Sequence, residues 1–263
     1  MNPFSTFPNN LRQSITHVLT DIDDTLTLDG ILPAAAYSAL ERLHQSGIKI
    51  IPITGRPAGW CDHIARMWPV DGVVGENGAF YFLYDHQCKK MVHRYWDSES
   101  VRIANRNKLE TLKQKILSHV RGCSVSADQR YRDADLAIDF CEDIEPLNEE
   151  EISTIVSLFE SAGAQAKISS IHVNGWFGDF DKLAMTRKLF TEVYNIDLDS
   201  EKERIIYVGD SPNDVPMFRY FPHSVGVANV RDHLDLLSAT PNWITRKKGG
   251  LGFSEMADIL LNY

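Results

Sequence analysis

Short apolar runs alternate with amphipathic segments over the first eighty residues of the chain. Thr16 to Thr20 has the pattern of a buried strand, apolar residues at helical spacing follow Pro33, and Lys49 to Ile53 predicts a second strand. A helix to about Met67 and a short strand at Gly72 to Val74 come next. Because a βαβαβ pattern requires crossover connections, it predicts a parallel sheet with right-handed crossovers.

The middle of the chain has a different pattern. Two strand-like stretches occupy residues 81–96, and a helix is predicted from about Ser100 to Val120. Asp135 to Cys141 alternates as a strand does, and Asn148 to Ser161 is an amphipathic helix that opens with a capping-box pattern. Residues 165–174 form an extended stretch. Neighbouring strands with two intervening helices indicate a compact α+β unit.

The alternating pattern resumes with a helix at Asp181 to Tyr194 and a strand at Arg204 to Val208. A helix after Asn213, a strand at Ser224 to Ala228 and a helix at Phe253 to Leu261 follow. We therefore expect an α/β fold: a doubly wound, Rossmann-like parallel-sheet core made of residues 1–83 and 177–263, with an inserted α+β cap domain at 84–176.

Composition and charge restrict the classes of function. The chain has 263 residues, is 43% hydrophobic and carries a formal net charge of -9, so a basic surface for nucleic acid is not expected. We find no signal peptide and no apolar run of the ~20 residues that span a bilayer. The four cysteines have neither disulfide-like nor metal-type spacing. These features predict a soluble cytoplasmic protein that binds no membrane.

Two aspartate clusters follow predicted strands. The first is Asp21-Ile22-Asp23-Asp24-Thr25, and the second is Gly209-Asp210-Ser211-Pro212-Asn213-Asp214. Ligands bind at the carboxyl ends of parallel strands, where several carboxylates repel one another unless a cation offsets them. Carboxylate oxygens suit a hard divalent metal such as Mg²⁺, so the clusters predict a magnesium site. A carboxylate next to such a cation can also attack phosphorus.

The predicted phosphate-binding residues are Thr54, Gly55, Lys182 and Asn213. Thr54 ends a strand before Gly55, where a hydroxyl and backbone N–H groups can hold phosphate oxygens. Lys182 opens a predicted helix, an unfavourable place for a cation that suggests a function. Each feature also has an ordinary explanation: Thr-Gly is a common turn, Lys182 could be a solvated surface charge, and Asn213 or Asp214 could simply cap the next helix.

Together these motifs, in this order, resemble the haloacid dehalogenase superfamily of phosphotransferases over residues 1–83 and 177–263. The resemblance implies that Asp21 is the nucleophile and Asp23 the general acid and then base. It implies that Thr54 and Lys182 hold phosphate and that Asp210 and Asp214 are the metal carboxylates, with Asp21 and Asp23 completing the magnesium site. The superfamily most often has glycine where this chain has Asp24, a residue that tolerates unusual backbone angles.

The position of the insert indicates which branch of the superfamily the chain resembles. Because the insert lies between Thr54 and Lys182, it is similar to the α/β cap of the sugar-phosphatase branch, as is the loop Gly75-Glu76-Asn77-Gly78-Ala79. His172 and Asn174, on the return from cap to core, and Arg56 are candidates for holding substrate. His172 as an ordinary strand residue is the competing interpretation. Arg130 and Arg132 are expected at the surface.

The function predicted is a Mg²⁺-dependent phosphomonoester hydrolase that acts on a small phosphorylated metabolite, a sugar phosphate in the first instance, through an aspartyl-phosphate intermediate. A phosphotransferase such as a sugar-phosphate mutase uses the same intermediate and is the first alternative. A catalytically silent regulatory binding module is the second. The sequence identifies neither the physiological substrate nor the oligomeric state.

Overall fold

The computed structural model describes residues 1–169 and 171–262. The strands of these residues are, in chain order, β1 Asn2–Pro3, β2 His17–Thr20, β3 Lys49–Pro52, β4 Val73–Gly75, β5 Phe80–Asp85, β6 Lys90–Tyr95, β7 Ser124–Val125, β8 Asp135–Asp139, β9 Gln165–Ile168, β10 His172–Trp176, β11 Ile205–Gly209, β12 His223–Gly226 and β13 Trp243–Ile244. The α-helices are α1 Asn9–Arg12, α2 Ala34–Gln45, α3 Ala58–Met67, α4 Glu99–His119, α5 Glu149–Ser161, α6 Lys182–Leu189, α7 Leu198–Glu201, α8 Val215–Tyr220 and α9 Gly249–Leu261.

A six-stranded parallel sheet, in the order β1-β13-β12-β11-β2-β3, is built from both ends of the chain. β2 lies between β11 and β3, in a register that pairs Thr20 with Val208 and Pro52. All four residues of β2 are buried, as a strand covered on both faces must be. The α/β fold with a parallel-sheet core predicted from the sequence is confirmed.

A three-stranded antiparallel sheet, β4-β5-β6, continues the edge of the core. It connects to the large sheet through a parallel bridge between Ile53 and Val74. Phe80 and Phe82 on β5 stack at 4.2 Å and belong to the same apolar cluster as Val18 of β2. The hairpin β5–β6 therefore packs against the core.

The inserted region contains a second antiparallel sheet, in the order β7-β8-β10-β9, together with α4 and α5. Ile116, Ile138, Phe159 and Val173 are members of its own buried apolar cluster. The helix α5 begins with the predicted capping box, in which Asn148 accepts the N–H of Glu151 at 3.0 Å. The assignment of residues 84–176 to a separate domain stays a prediction.

Two predicted helices have different ends in the structure. The helix expected at 181–194 is α6, which continues as a π-helical segment over Phe190–Tyr194. The last helix, expected from Phe253, begins at Gly249. Glycine has low intrinsic helix propensity, so packing against the loop at Leu26 and Thr27 determines this first turn. Among the described residues no helix is both long and apolar enough to cross a membrane.

Candidate active site

Three adjacent strands bring polar residues to one edge of the core sheet. Asp21 directly follows β2, Asp210 directly follows β11, and Thr54 comes two residues after β3. Because these strands are parallel neighbours, their carboxyl ends lie side by side at the edge where ligands bind in such sheets. Segments far apart in sequence therefore form one site.

Asp21, Asp210 and Asp214 form a cluster of buried carboxylates. One oxygen from each lies within 4.8 Å of the others, and their residues are 4%, 1% and 0% exposed. Nζ of Lys182 is 3.2 Å from Oδ1 of Asp21 and 2.8 Å from Oδ1 of Asp214. The lysine thus bridges two of the three acidic groups and partly neutralises the cluster.

Asp214 is held by donors on both of its carboxylate oxygens. Oδ1 accepts hydrogen bonds from Lys182 and the Tyr207 hydroxyl, and Oδ2 accepts the backbone N–H groups of Asp210 and Ser211. A Cβ on Gly209 would lie 2.4 Å from Oδ2, so only glycine permits this approach. These contacts fix the loop after β11.

Asp210 is held by two amide or hydroxyl donors. Thr25 Oγ1 donates to Oδ1 at 2.9 Å, and Asn229 Nδ2 approaches Oδ2 at 3.2 Å. The same Asn229 amide donates to the backbone carbonyl of Asp24, whose φ is 54°. Asp tolerates this left-handed conformation, as the sequence analysis expects for a position that is most often glycine.

The cluster holds three buried carboxylates and one lysine, so its negative charges are only partly neutralised. Burial raises the pKa of Asp21 to about 8, and repulsion from Asp214 and Asp23 adds to the increase while Lys182 opposes it. Burial, followed by repulsion from Asp214 and Asp21, raises the pKa of Asp210 well above its usual range. Burial alone lowers the pKa of Lys182, but Asp21 and Asp214 outweigh it and raise the pKa above its usual value.

The donor set fits a hard divalent cation. Carboxylate oxygens are the ligands that Mg²⁺ prefers, and a divalent charge offsets the repulsion that raises the pKa of Asp21 and Asp210. Each oxygen of Asp214 already accepts two hydrogen bonds. The geometry therefore favours Asp21 and Asp210 as the direct carboxylate ligands. Direct ligation by Asp214 stays a prediction, as does the contribution of Asp23.

The side chain of Asp23 is bound by Arg56. The guanidinium contacts both carboxylate oxygens of Asp23, with Nη2 2.8 Å from Oδ1 and Nε 3.0 Å from Oδ2. Nη2 is also 3.4 Å from Oε1 of Glu142, and Nη1 is 3.6 Å from Oδ2 of Asp128. Arg56 therefore joins the first aspartate cluster to two acidic side chains of the inserted region.

The predicted phosphate-binding residues lie around Asp21. Thr54 is fully buried, and its Oγ1 accepts the N–H of Arg56 at 3.0 Å. Lys182 is the first residue of α6, whose N-terminus is capped by Asp181. Nζ of Lys182 is also 3.3 Å from Oδ1 of Asn213. The sequence prediction that Lys182 has a specific role is supported by its burial beside Asp21.

One narrow cleft gathers most of the predicted site residues. Its lining includes the seven predicted residues Asp21, Asp23, Gly55, Arg56, His172, Asn174 and Asn213. Thr54, Lys182, Asp210 and Asp214 are buried beside it, outside the described lining. His172 and Asn174 already have partners in the inserted region: Nε2 of His172 is 2.9 Å from Glu142, and Asn174 donates to Asp135 at 2.9 Å.

The expectation that Arg132 is a surface charge is wrong. Its side chain is 1% exposed, and it pairs with Asp128 at 2.9 Å and Asp135 at 3.0 Å. Nη1 also donates to the carbonyl of Gly55 at 2.9 Å. Carboxylates from its own segment and a core carbonyl replace the solvent that a lone arginine requires.

Sequence reasoning gave no role to several residues that shape the site. Thr25 lies inside the first motif and could have been assigned from it, but Asn229 and Glu142 belong to no motif. Glu76 is 0% exposed, and its carboxylate accepts the backbone N–H groups of Ala58, Asp133, Ala134 and Asp135. Glu76 lies in the loop Gly75-Glu76-Asn77-Gly78-Ala79 singled out above, but its main-chain donors come from distant segments, so this role could not be predicted from the loop.

The chain belongs to the haloacid dehalogenase-like hydrolase family, which matches residues 18–174 and 150–247. The chain is thus a hydrolase by family, and the membership predicted from the motifs is confirmed. No curated protein matches the chain.

Solved structures share the fold at low sequence identity. The Thermoplasma acidophilum protein 0175 has a TM-score of 0.70 at 19% identity, with 94% of this chain and 98% of that chain covered. A HAD/COF-like hydrolase from Plasmodium vivax has a TM-score of 0.67 at 17% identity, covering 96% and 99%. The HAD subclass IIB sugar phosphatase BT4131 has a TM-score of 0.58 at 16% identity, covering 88% and 93%. The fold therefore extends over nearly the whole chain.

Proposed function

We propose that this protein is a Mg²⁺-dependent phosphatase that hydrolyses small phosphomonoesters through a phosphorylated Asp21. The observation that carries the proposal is the convergence of Asp21, Asp210, Asp214 and Lys182 at one edge of the sheet. A buried carboxylate next to a lysine and a cation site is arranged to attack an electron-poor phosphorus. Membership of the family supports the same reaction type.

In the first step, an oxygen of Asp21 attacks phosphorus while Lys182 offsets charge on the phosphoryl oxygens. Asp21 and Asp210 would hold Mg²⁺, which when bound would further neutralise that charge. Asp23 protonates the departing oxygen, and the hydroxyl of Thr54 and the backbone N–H of Gly55 orient the phosphoryl group. Arg56 holds the Asp23 carboxylate through two donors and so fixes its direction.

In the second step, Asp23 has lost its proton and accepts one from a water that attacks the phosphorylated Asp21. The inserted region covers the cleft through Arg132, His172 and Asn174, which restricts entry of bulk water. The attack releases inorganic phosphate and regenerates Asp21. Both steps place the phosphoryl group between Asp21 and Asp23.

The substrate class we propose is a sugar phosphate. Support comes from the position of the inserted region and from the shared fold of the sugar phosphatase BT4131. Another solved structure of this fold is a trehalose-6-phosphate phosphatase related protein, at 14% identity and a TM-score of 0.60. Cytoplasmic location belongs to the same proposal.

Replacement of the nucleophile tests the proposal. We expect Asp21→Asn to lower Mg²⁺-dependent release of inorganic phosphate from p-nitrophenyl phosphate at least about a thousandfold, because an amide is not a nucleophile for phosphorus. We expect Asp23→Asn to lower kcat about a hundredfold or more, because it removes the proton donor. Asp235→Asn, at an exposed position, is the matched control and keeps full activity.

Four results would contradict the proposal. Full activity of Asp21→Asn would show that Asp21 is not the nucleophile. Activity that survives chelation of divalent ions would show that the reaction does not require a metal. If ³¹P NMR showed an isomerised sugar phosphate and no inorganic phosphate, the protein would be a mutase instead. Absence of turnover with Mg²⁺, Mn²⁺ and Co²⁺ in a folded sample would favour a binding module.

A further inference from the structure

A second cavity lies next to the cleft, on the core side of the molecule. It has a volume of about 380 Å³ and is lined by the loop that follows Asp21 and by one side of α3. Trp60, His63 and Ile64 come from α3, Trp68 follows its last turn, and Leu32 comes from the loop. We call this space the tryptophan cavity. Its volume is within the range of roughly 300–1,000 Å³ that small-molecule sites have.

The tryptophan cavity and the cleft share two residues, Asp23 and Arg56, whereas Asp21 lines the cleft alone. Under the proposed function, Asp21 attacks phosphorus from one side and Asp23 gives its proton to the oxygen that departs on the other. The leaving group must therefore extend from the Asp23 side of the phosphoryl group. The tryptophan cavity is lined by Asp23 and not by Asp21, so it is the space on the Asp23 side.

Volume supports the same assignment. The cleft beside Asp21 has a volume of about 20 Å³, the space of one or two water molecules. A phosphoryl group together with a six-membered ring needs more space than this cleft alone provides. His172 and Asn174, the predicted substrate residues of the cap, already contact Glu142 and Asp135. The tryptophan cavity has the volume that the cleft lacks.

The chemistry of the cavity fits a ring with one apolar face. Trp60 is 44% exposed, so its indole offers an accessible surface, while the Arg56 guanidinium lies 4.5 Å from its ring centre. Leu32 and Ile64 add apolar wall, and His63 adds a hydrogen-bond donor and an acceptor at the edge. Indole faces pack against rings that present C–H groups, and the donor and acceptor suit hydroxyl or other oxygen substituents.

We propose that the tryptophan cavity binds the leaving group of the phosphomonoester and that Trp60 selects substrates whose leaving group contains a ring. The proposal rests on the proposed function, because it takes the side of departure from the roles of Asp21 and Asp23. It places the specificity of the enzyme on α3 of the core. A pyranose and an aryl ring share the required apolar face, and the experiment separates them.

The test compares substrates with and without a ring. We would measure kcat/KM with Mg²⁺ for glucose 6-phosphate, p-nitrophenyl phosphate and ethyl phosphate in the wild type, Trp60→Ala and Trp60→Phe. Loss of one aromatic contact predicts that Trp60→Ala lowers the ratio of ring to ethyl kcat/KM about tenfold, mainly through KM. Trp60→Phe keeps most of the ratio. Leu236→Ala, at a position 70% exposed and outside the cavity lining, leaves it unchanged.

Each outcome of this comparison of kcat/KM ratios supports a different conclusion. A ratio that falls only for glucose 6-phosphate identifies a sugar ring, and one that falls only for the aryl ester identifies an aromatic ring. A ratio unchanged in Trp60→Ala overturns the proposal. A Trp60→Ala protein with an unchanged ratio but a smaller mass by light scattering shows instead that the cavity is an interface between copies of the chain.

A binding measurement separates this proposal from the proposed function. If the wild type hydrolyses none of the three esters, the proposed function fails, and titration of glucose 6-phosphate and p-nitrophenyl phosphate against tryptophan fluorescence still tests the cavity. We expect saturable quenching in the wild type that is absent in Trp60→Phe. Equal quenching in both proteins, or none in either, would refute binding at Trp60.

Discussion

Gly209 is the residue whose single hydrogen side chain allows Asp214 to approach the loop after β11. In Gly209→Ala, the new Cβ would lie 2.4 Å from Asp214 Oδ2, so Asp214 must move away from the four donors that hold it. Overpacking of this kind costs about 1–3 kcal/mol in the free energy of unfolding. We expect that loss in urea denaturation, together with at least about a hundredfold loss of phosphate release, since displacement of charged groups in a site has effects of this size.

Gly72→Ala is the matched control for this substitution. Its Cβ would meet the carbonyl of Phe82 at 3.3 Å, a contact that small shifts relieve, at a position remote from the carboxylates. An active Gly209→Ala protein with unchanged stability would show that the close approach of Asp214 is dispensable.

At the scale of single residues, the sequence predicts those that belong to ordered motifs. Asp21, Asp210 and Lys182 were recognisable because each follows a strand or opens a helix, and the structure brings them together. Arg132 was misjudged because its burial depends on carboxylates that fold around it. Asn229 was missed because its contacts with Asp24 and Asp210 are purely tertiary.

The strand β2 and the segment after α6 are coupled through His17. The imidazole is 6% exposed, packs 4.8 Å from the ring of Phe190 and 5.2 Å from that of Tyr194, and Nδ1 is 2.8 Å from Thr16 Oγ1. Nε2 has no hydrogen-bond partner within residues 1–169 and 171–262. Burial lowers the pKa of His17 from 6.5 to about 4.

This shift predicts a pH-dependent stability. Protonation of His17 is less favourable in the folded state than in the unfolded state. The contribution of neutral His17 to the free energy of unfolding is therefore fully present above the unfolded pKa of 6.5, and it is lost as the pH falls toward 4. Between pH 7 and 4.5 we expect His17 to account for a decrease of about 2 to 3 kcal/mol in the free energy of unfolding. His17→Phe should show a shallower decrease in urea denaturation over this range, whereas His86→Phe, at an exposed position, should follow the wild type. Identical slopes in wild type and His17→Phe would contradict the assignment.

At the scale of elements, periodicity located the strands and helices well and their ends less well. The parallel core strands were clear because buried strands are continuous apolar runs. The first turn of α9 was missed because Gly249 and Gly250 are poor helix formers that pack closely on the loop at residues 26–28. The π-helical end of α6 has no sequence signature, since the pattern over 190–194 continues that of the helix.

For the whole molecule, Glu76 connects the core to the inserted region. Its carboxylate accepts one N–H from the start of α3 and three from residues 133–135, which lead into and begin β8. In Glu76→Gln the NH₂ group of the amide would face backbone N–H groups that need an acceptor. A buried polar group left without a partner lowers the free energy of unfolding by about 1–3 kcal/mol. We expect faster hydrogen exchange at the amides of Asp133, Ala134 and Asp135 and little change in β2.

Glu160→Gln, on the exposed side of α5, is the control for this experiment. Unchanged protection of the three amides in Glu76→Gln would mean that other contacts, such as those of Arg132, determine the position of the inserted region. The order of the motifs predicted where the insert enters the chain. The contacts that join it to the core could not be predicted, because they pair residues that share no local pattern.

The pairing of residue 17 with residue 205 in the core sheet has a consequence during synthesis on the ribosome. The apolar cluster of the inserted region lies between residues 109 and 173, so that region can collapse while the chain is still growing. The strand β2 instead keeps one edge unpaired until β11 emerges. At roughly 5–20 residues per second, this interval lasts on the order of ten seconds or more. Throughout that time the nascent chain exposes an unpaired strand edge to which chaperones, or other nascent chains, can bind.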